Sequence, residues 1–307
     1  MNTSPASLSL QLAAFRSQTL SSMMSPALGA KGNDTWASLF ALLTSKNTQF
    51  EQLSSDPLFL LTNSSNTNLS SGAVAGSAAG RNMMLSDPES AYRMMSLINS
   101  EEVSYKARFS ELSQMGSYVS QMQVSGQSLI GIESSTGNDG IRSRLQDFVA
   151  QYNNWIQRFD ADLQKGGLLS DTQAARMSQY EMEQSIKNRF HGIRDGLHGM
   201  SDLGITIDPV TRLASLDVCK LDSVLATNKQ GVVDTVHEFS ANFTRTASLL
   251  NSEGNFISNQ LDNLDRAIHY ISDNKTSLQK EFGLGNSARP TAQVAQALAA
   301  YNQAFQN

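Results

Sequence analysis

Hydrophobic residues recur at helical spacing along much of the chain, and the most regular stripe lies near its C-terminal end. Its positions alternate steps of four and three from residue 257 to residue 282, and only one of them is polar. This heptad pattern predicts a long amphipathic helix over residues 255–283, which needs a partner helix of similar length to bury its apolar face. The stripe consists of Ile257, Leu261, Leu264, Ile268, Ile271, Lys275, Leu278 and Phe282.

A second long stripe lies upstream and is the natural partner for the first. It follows the sequence "SDPE" at 86–89, which supplies an N-cap, a proline in the first turn and an acidic group near the positive helix end. We expect a helix over residues 89–130 that pairs antiparallel with the 255–283 helix. Its positions spaced by seven residues are Ile98, Tyr105, Leu112 and Val119, with Phe109, Met115 and Met122 beside them.

Three shorter stripes lie between these two helices. They run from Ile141 to Leu163, from Met182 to Leu197 and from Val232 to Leu250. The segments "GIESSTGNDG" and "KGGLLSD" separate the first two stripes from what precedes them, and their glycine and polar residues are typical of helix ends. The pattern as a whole predicts a mainly α fold, namely an elongated helical bundle or coiled coil.

The stretch "SDLGITIDPVTRLASLD" at 201–217 departs from the helical pattern. Alternating apolar residues on both sides of an Asp-Pro turn predict a β-hairpin over residues 204–216. A two-stranded hairpin is marginally stable alone, so we expect it to pack on the helices as a local brace. The predicted residues are Gly204, Ile205 and Ile207 in the first strand, Leu213 and Leu216 in the second, and Asp217 as the cap of the following helix.

The two ends of the chain differ in composition from this central part. Residues 54–88 include a run of small and polar residues that cannot bury enough apolar surface to offset the entropy of ordering, which predicts a flexible linker. Residues 1–53 are rich in Ser, Thr, Asn and Gln around one amphipathic stretch, and we interpret them as a partly helical export or assembly segment. The helical core is then expected over residues 89–285.

A last amphipathic helix is predicted over residues 286–307. No stripe elsewhere in the chain is evident as its partner, so it is a candidate for contact with another subunit. We therefore expect residues 1–88 and 286–307 to be mobile in the isolated protein and to order in an assembly. The apolar face of the C-terminal helix consists of Val294, Leu298, Tyr301 and Phe305.

Composition argues against binding to nucleic acid and against a membrane span. Charged residues are only 17% of the chain and the net charge is −5, so the clustered basic residues that bind nucleic acid or anionic lipid are missing. No apolar stretch has the roughly 18 residues of a membrane span. The start of the chain lacks the features of a conventional secretory signal, and it suits either a cytoplasmic protein or one exported unfolded through a type III apparatus.

The sequence also contains no recognisable catalytic constellation. The common nucleotide-binding, serine hydrolase and zinc protease motifs are missing, so we expect no enzyme, no catalytic residue and no cofactor. His191, Asp195 and His198 have helical spacing, but no fourth ligand is suggested, and a solvated helix face is the preferred interpretation over a metal site. The single cysteine, Cys219, excludes a disulfide within the chain.

Several segments resemble one protein family. The strings "LGITID", "LASLD", "KLDSVL" and "GVVDTVHEF" follow one another from 203 to 239. Upstream lies "DFVAQYNNWIQRFDADLQKGGLLSD", and downstream lies "GNFISNQLDNLDRAIHYISDN". In this order they resemble the C-terminal half of the bacterial flagellar filament cap, a hook-associated protein family, over residues 141–285.

The resemblance implies a structural role at the distal tip of the flagellum, outside the cell. It implies self-association, with the hairpin in the domain that contacts neighbouring subunits, and it implies flagellin, hook–filament junction proteins and an export chaperone as further partners. Cap proteins carry large outer β domains where this chain has only "GIESSTGNDG", so a reduced cap without the outer platform is expected. The alternative is a cytoplasmic, chaperone-like or regulatory helical protein that binds flagellar subunits.

Overall fold

The computed structural model describes residues 80–190 and 197–305, which belong to one compact unit. Helices dominate it, and two short antiparallel strands form its one sheet in this part of the chain, so the predicted mainly α class with one small hairpin is confirmed. The elements in chain order are α1 Pro88–Ser128, a 3-10 turn Leu129–Gly131, α2 Asn138–Leu163, α3 Gln173–Lys187, β1 Ile205–Ile207, β2 Ala214–Leu216, α4 Val218–Thr227, α5 Lys229–Asn251, α6 Phe256–Phe282 and α7 Ala292–Phe305.

The longest helix, α1, pairs antiparallel with α6. Gly116 lies against Ile257 at the start of α6, whereas Glu102, nearer the start of α1, pairs with Lys275 in the last turns of α6. The predicted pairing is therefore confirmed, and the two stripes meet in the core. The stripe members that are at least nine-tenths buried are Ile98, Tyr105, Leu112, Val119, Ile257, Leu264, Ile268, Ile271 and Leu278, while Leu261 and Phe282 are half-buried.

The polar member of the heptad stripe has a specific partner. Lys275 Nζ lies 2.8 Å from one oxygen of Glu102, and Lys106 Nζ lies 2.8 Å from the other. Burial alone would raise the pKa of Glu102, but hydrogen bonds from the two lysines outweigh it and hold that pKa below its usual value. An ion pair between the two helices thus replaces one apolar contact.

Helix α5 packs closely on another face of α1. The Ser240 hydroxyl donates to the carbonyl of Gly126 over 2.7 Å, and the Asn251 amide donates to the carbonyl of Gly116 over 2.8 Å. A β-carbon at Gly126 would lie 2.7 Å from the ring of Phe243, so the absence of a side chain permits this approach.

The hairpin is shorter than predicted. Ile205 pairs with Leu216 and Ile207 pairs with Ala214, so Gly204 and Leu213 lie just outside the strands. Gly204 has φ 91°, a left-handed value that glycine adopts without strain. The carbonyl of Leu213 accepts from the Asp208 N–H and closes the turn.

Burial in the hairpin follows the strand register. Ala214 is the buried residue of the second strand, whereas Leu216 is half-buried. Ile205 is buried and Ile207 is half-buried in the first strand. Asp217 caps α4 as expected, because its carboxylate accepts from the Lys220 N–H.

One asparagine attaches the hairpin to α2. The Asn153 side chain accepts from the Ala214 N–H over 2.8 Å and donates to the Ala214 carbonyl over 2.9 Å. A side-chain amide thereby occupies the place of a third strand at this residue. Because Ala214 is 5% exposed, Asn153 satisfies backbone groups that water scarcely reaches.

Two predicted boundaries differ from the structure. Residues 80–87, expected in the flexible linker, contact the end of α6: the Asn82 side chain donates to the carbonyls of Lys280 and Glu281. The export segment and the rest of the linker lie outside the described residues. Helix α3 ends at Lys187 rather than near 197, and beyond its end the Phe190 N–H donates to the His198 carbonyl.

The α1–α6 contact gives a first testable prediction. Ile268 is 3% exposed, so replacing it with Asp buries an unpaired charge, and we expect a loss of about 4 kcal/mol or more in the free energy of unfolding. Ser272 is exposed on the same helix, and Ser272→Asp is the control, expected to change stability by less than about 0.5 kcal/mol. Urea unfolding followed by circular dichroism measures both; equal stabilities would contradict the pairing.

The attachment of the hairpin gives a second prediction. Asn153→Ala leaves the N–H and carbonyl of Ala214 without their partners, and we expect a loss of about 1–3 kcal/mol in the free energy of unfolding. Asn154→Ala is the matched control, because the neighbouring asparagine is exposed. Chemical denaturation of both variants tests the prediction, and a loss no larger in Asn153→Ala than in the control would refute it.

Candidate self-association surface

The C-terminal helix α7 lies on α1 of the same chain. Tyr301 is 8% exposed and meets the ring of Phe109 edge to face, with ring centres 5.8 Å apart. Phe305 meets the same ring at 5.2 Å. The expectation that the apolar face of this helix lacks a partner within the chain is therefore wrong, and with it the premise for an intersubunit role of that face.

The face of α1 that receives α7 explains why this partner was missed. Val294 packs on a small cluster of Ala107, Leu168 and Ala297, and Leu168 comes from the loop after α2. Alanine makes no recognisable apolar stripe in a sequence, although it lets another helix approach closely. Leu298 is half-buried and Phe305 is 52% exposed, so only part of the predicted face is buried.

The connecting segment 283–291 is bound to α1 before α7 begins. The Asn99 side chain donates to the carbonyls of Leu284 and Asn286, at 3.0 and 2.9 Å. Gly285 has φ 65°, and a β-carbon there would lie 2.6 Å from the Ser96 nitrogen. Glycine is thus required where this segment crosses α1.

A group of charged and polar side chains lies at the base of α7; we call Glu111, Arg158, Asp162 and Gln293 the carboxyl cluster. Arg158 donates to Glu111 over 2.6 Å and to Asp162 over 3.2 Å. The Gln293 amide donates to the other oxygen of Asp162 over 2.6 Å. The cluster therefore joins α1, α2 and α7.

Burial dominates the electrostatics of this cluster. Glu111 and Asp162 are 6% and 3% exposed, and burial raises the pKa of both carboxyls. The positive charge of Arg158 opposes this shift, but one guanidinium serves two carboxyls. Asp162 also raises the pKa of Glu111, both by its charge and as a hydrogen-bond neighbour.

Sequence reasoning missed both Asn153 and the carboxyl cluster. One signal was available for the cluster, because Asp162 continues the stripe of Trp155 and Phe159, and a charged residue at a core position calls for a buried partner. Asn153 gave no comparable signal, since a polar residue beside a helix stripe is ordinary.

Three exposed apolar side chains lie on two neighbouring segments at one end of the bundle. Met83, Met84 and Leu284 are 65%, 96% and 56% exposed, and we call them the terminal patch. The Leu284 N–H donates to the Gly80 carbonyl, so the two segments that carry the patch are adjacent. Neighbouring exposed apolar residues of this kind are typical of a binding surface.

The hairpin also presents an apolar residue to solvent. Val210 is 87% exposed at its tip, where the Asp208 carboxylate accepts the N–H groups of Val210 and Thr211 and fixes the turn. Arg212 donates to Gln179 over 2.5 Å and holds this end of the hairpin on α3. The tip is therefore positioned rather than loosely attached.

The described residues include no group of three or more His, Cys, Asp and Glu side chains arranged to hold a metal ion. His191 and Asp195 of the weighed metal motif lie outside the described part. Cys219 is a free, exposed thiol. No described helix is long and apolar enough to cross a membrane.

Comparison with protein families identifies the chain. The model of the flagellar hook-associated protein 2 C-terminus matches residues 120–303, well over half of the 307 residues. No curated protein and no solved structure matches the chain. The matched region begins in the last turns of α1 and includes the hairpin, the carboxyl-cluster residues of α2 and α7, and α6. The chain belongs to the family of the flagellar hook-associated protein 2 C-terminus.

Proposed function

We propose that this protein is a self-associating structural component of the bacterial flagellum that caps the distal tip of the filament and supports flagellin assembly there. The observation that carries the proposal is the family match over residues 120–303. Export through the type III route follows from a position at the tip. Contacts with flagellin or hook–filament junction proteins, and with an export chaperone before secretion, belong to the same proposal.

The connection between α1 and α2 supports the idea of a reduced cap. Only residues 132–137 lie between the 3-10 turn and α2, where cap proteins are expected to carry outer domains. His237 Nε2 lies 2.7 Å from the carbonyl of Ile132, and the Ser134 hydroxyl donates to Gln230 over 2.5 Å. The short connection is thus bound to α5, and in this proposal the cap acts through its helical core.

The terminal patch and the hairpin tip are the surfaces we assign to subunit contact. Both expose large apolar side chains, whereas the apolar face of α7 is already used on α1. Apolar contacts are not screened by salt, and the chain is only 17% charged, so assembly is expected to depend weakly on ionic strength.

The terminal patch gives the third prediction. The double variant Met84→Ser, Leu284→Ser should lower the oligomeric fraction in sedimentation velocity at every protein concentration, while thermal unfolding of the monomer changes little because both side chains are exposed. The matched control is Val124→Ser, Leu249→Ser, whose side chains are 67% and 53% exposed on α1 and α5. A monomeric wild-type chain would contradict self-association, and an equal effect of the control would contradict this choice of surface.

Localisation gives the fourth prediction. Flagella sheared from cells and washed should contain the protein, and a deletion strain should have short or missing filaments and reduced motility. Wild-type motility restored by the full chain on a plasmid is the control. Recovery of the protein from the cytoplasm alone, with normal filaments in the deletion strain, would reject the cap role and favour the chaperone-like alternative.

A further inference from the structure

We propose that the carboxyl cluster makes the attachment of α7 to α1 depend on pH, with the helix held more firmly as the pH falls. The cluster is the one place among the described residues where α7 forms a hydrogen bond to a buried ionisable group, through Gln293 and Asp162. The protonation state of that group therefore affects whether α7 stays in place.

The charges facing the two carboxyls are unbalanced. Helix α1 contributes Glu111, and α2 contributes Asp162 and the single cation, Arg158. Helix α7 has no acidic or basic residue near either end and contributes only the neutral amide of Gln293. Arg289, in the connecting segment before α7, is exposed. With both carboxyls ionised, the cluster holds one uncompensated negative charge at a buried position, which is costly.

The remaining donors do not remove this imbalance. The amide oxygen of Gln114 accepts a hydrogen bond from Arg158 over 2.8 Å, so Gln114 competes with the carboxyls for the guanidinium donors. Lys106, five residues before Glu111 on α1, is already paired with Glu102. A proton shared between Glu111 and Asp162 is the remaining way to reduce the charge.

The direction of the pH effect follows from linkage. While α7 is docked, burial raises the pKa of Glu111 and of Asp162, and for Asp162 it outweighs the hydrogen bond from Gln293, which lowers that pKa. In the proposal, water returns both pKa values toward their ordinary range when the helix leaves. The docked state therefore binds the proton more tightly. The stability that this proton adds to the docked state is fully present below the ordinary carboxyl pKa near 4. It is lost as the pH rises through the raised pKa of the docked state.

Helix α7 can respond separately from the main core. It rests on the small cluster of Ala107, Leu168 and Ala297 and on the rings around Phe109, whereas α1 and α6 share the long buried stripes. Only Ala297 and Tyr301 of α7 are buried, and a helix with few buried residues opens at lower free energy than the core elements do. A change at the carboxyl cluster therefore alters α7 before it alters the bundle.

Hydrogen exchange of the full chain, followed by mass spectrometry from pH 5 to pH 8, tests the proposal as the fifth prediction. After correction for the intrinsic pH dependence of exchange, amides of residues 292–305 should lose protection with rising pH, by up to about tenfold per unit where one proton is linked. Peptides from α6 serve as the internal reference and should change less. Protection of α7 that is constant or increases with pH would overturn the proposal.

Substitution of one carboxyl identifies the group responsible. Glu111→Gln keeps the shape, and its amide can donate to Asp162, so it should flatten the pH dependence and leave α7 at least as protected at pH 8 as in the wild type. Asp162→Asn should flatten it as well. Asp147→Asn, an exposed change on the same helix as Asp162, should leave the pH dependence intact.

These variants separate the proposal from a plain structural role. If Glu111 served only as the partner of Arg158, Glu111→Gln would weaken α7 at every pH and keep the wild-type slope, and that result would refute the proposal. If a variant fails to fold, the wild-type comparison of α7 with α6 still decides whether the attachment depends on pH.

Discussion

The packing of three helices around α1 is the constraint on which the rest of the structure depends. One face of α1 meets α6 through matched apolar stripes, a second meets α5 and a third receives α7. Close approach is possible at Gly116 and Gly126, where a side chain would collide with or crowd the neighbouring helix. Because α5, α6 and α7 all pack on α1, changes in the buried residues of α1 are expected to affect the whole bundle. Changes in α7 are expected to stay local.

Side-chain hydrogen bonds to backbone groups fix how the elements are placed on this frame. Asn153 pairs with the strand residue Ala214, Asn99 holds the segment after α6, and Ser240 and Asn251 join α5 to α1. These contacts all use neutral Asn and Ser side chains, in a chain that is only 17% charged. Neutral amides and hydroxyls specify geometry without the desolvation cost of buried ions.

Much of this fold could be predicted from the sequence, because long stripes such as Ile257 to Phe282 determine their own secondary structure and need a partner of equal length. The partner of α7 could not be predicted, since the receiving face of α1 is built on Ala107 and a ring, Phe109, that is only half-buried. Asn153 pairs with a residue 61 positions away, and no local pattern encodes such a contact. The terminal patch replaces the predicted surface on α7 for the same reason, because the exposure of a residue such as Met84 depends on tertiary packing.

In our proposal, this family member acts at the filament tip, and its helical core associates through exposed apolar residues at one end and at the hairpin. Immunogold electron microscopy of intact cells tests that assignment most directly, using an antibody raised against the full chain and a deletion strain as the blank. We expect gold particles at the free ends of filaments. Particles along the filament, at its base, or only within cell bodies would contradict it.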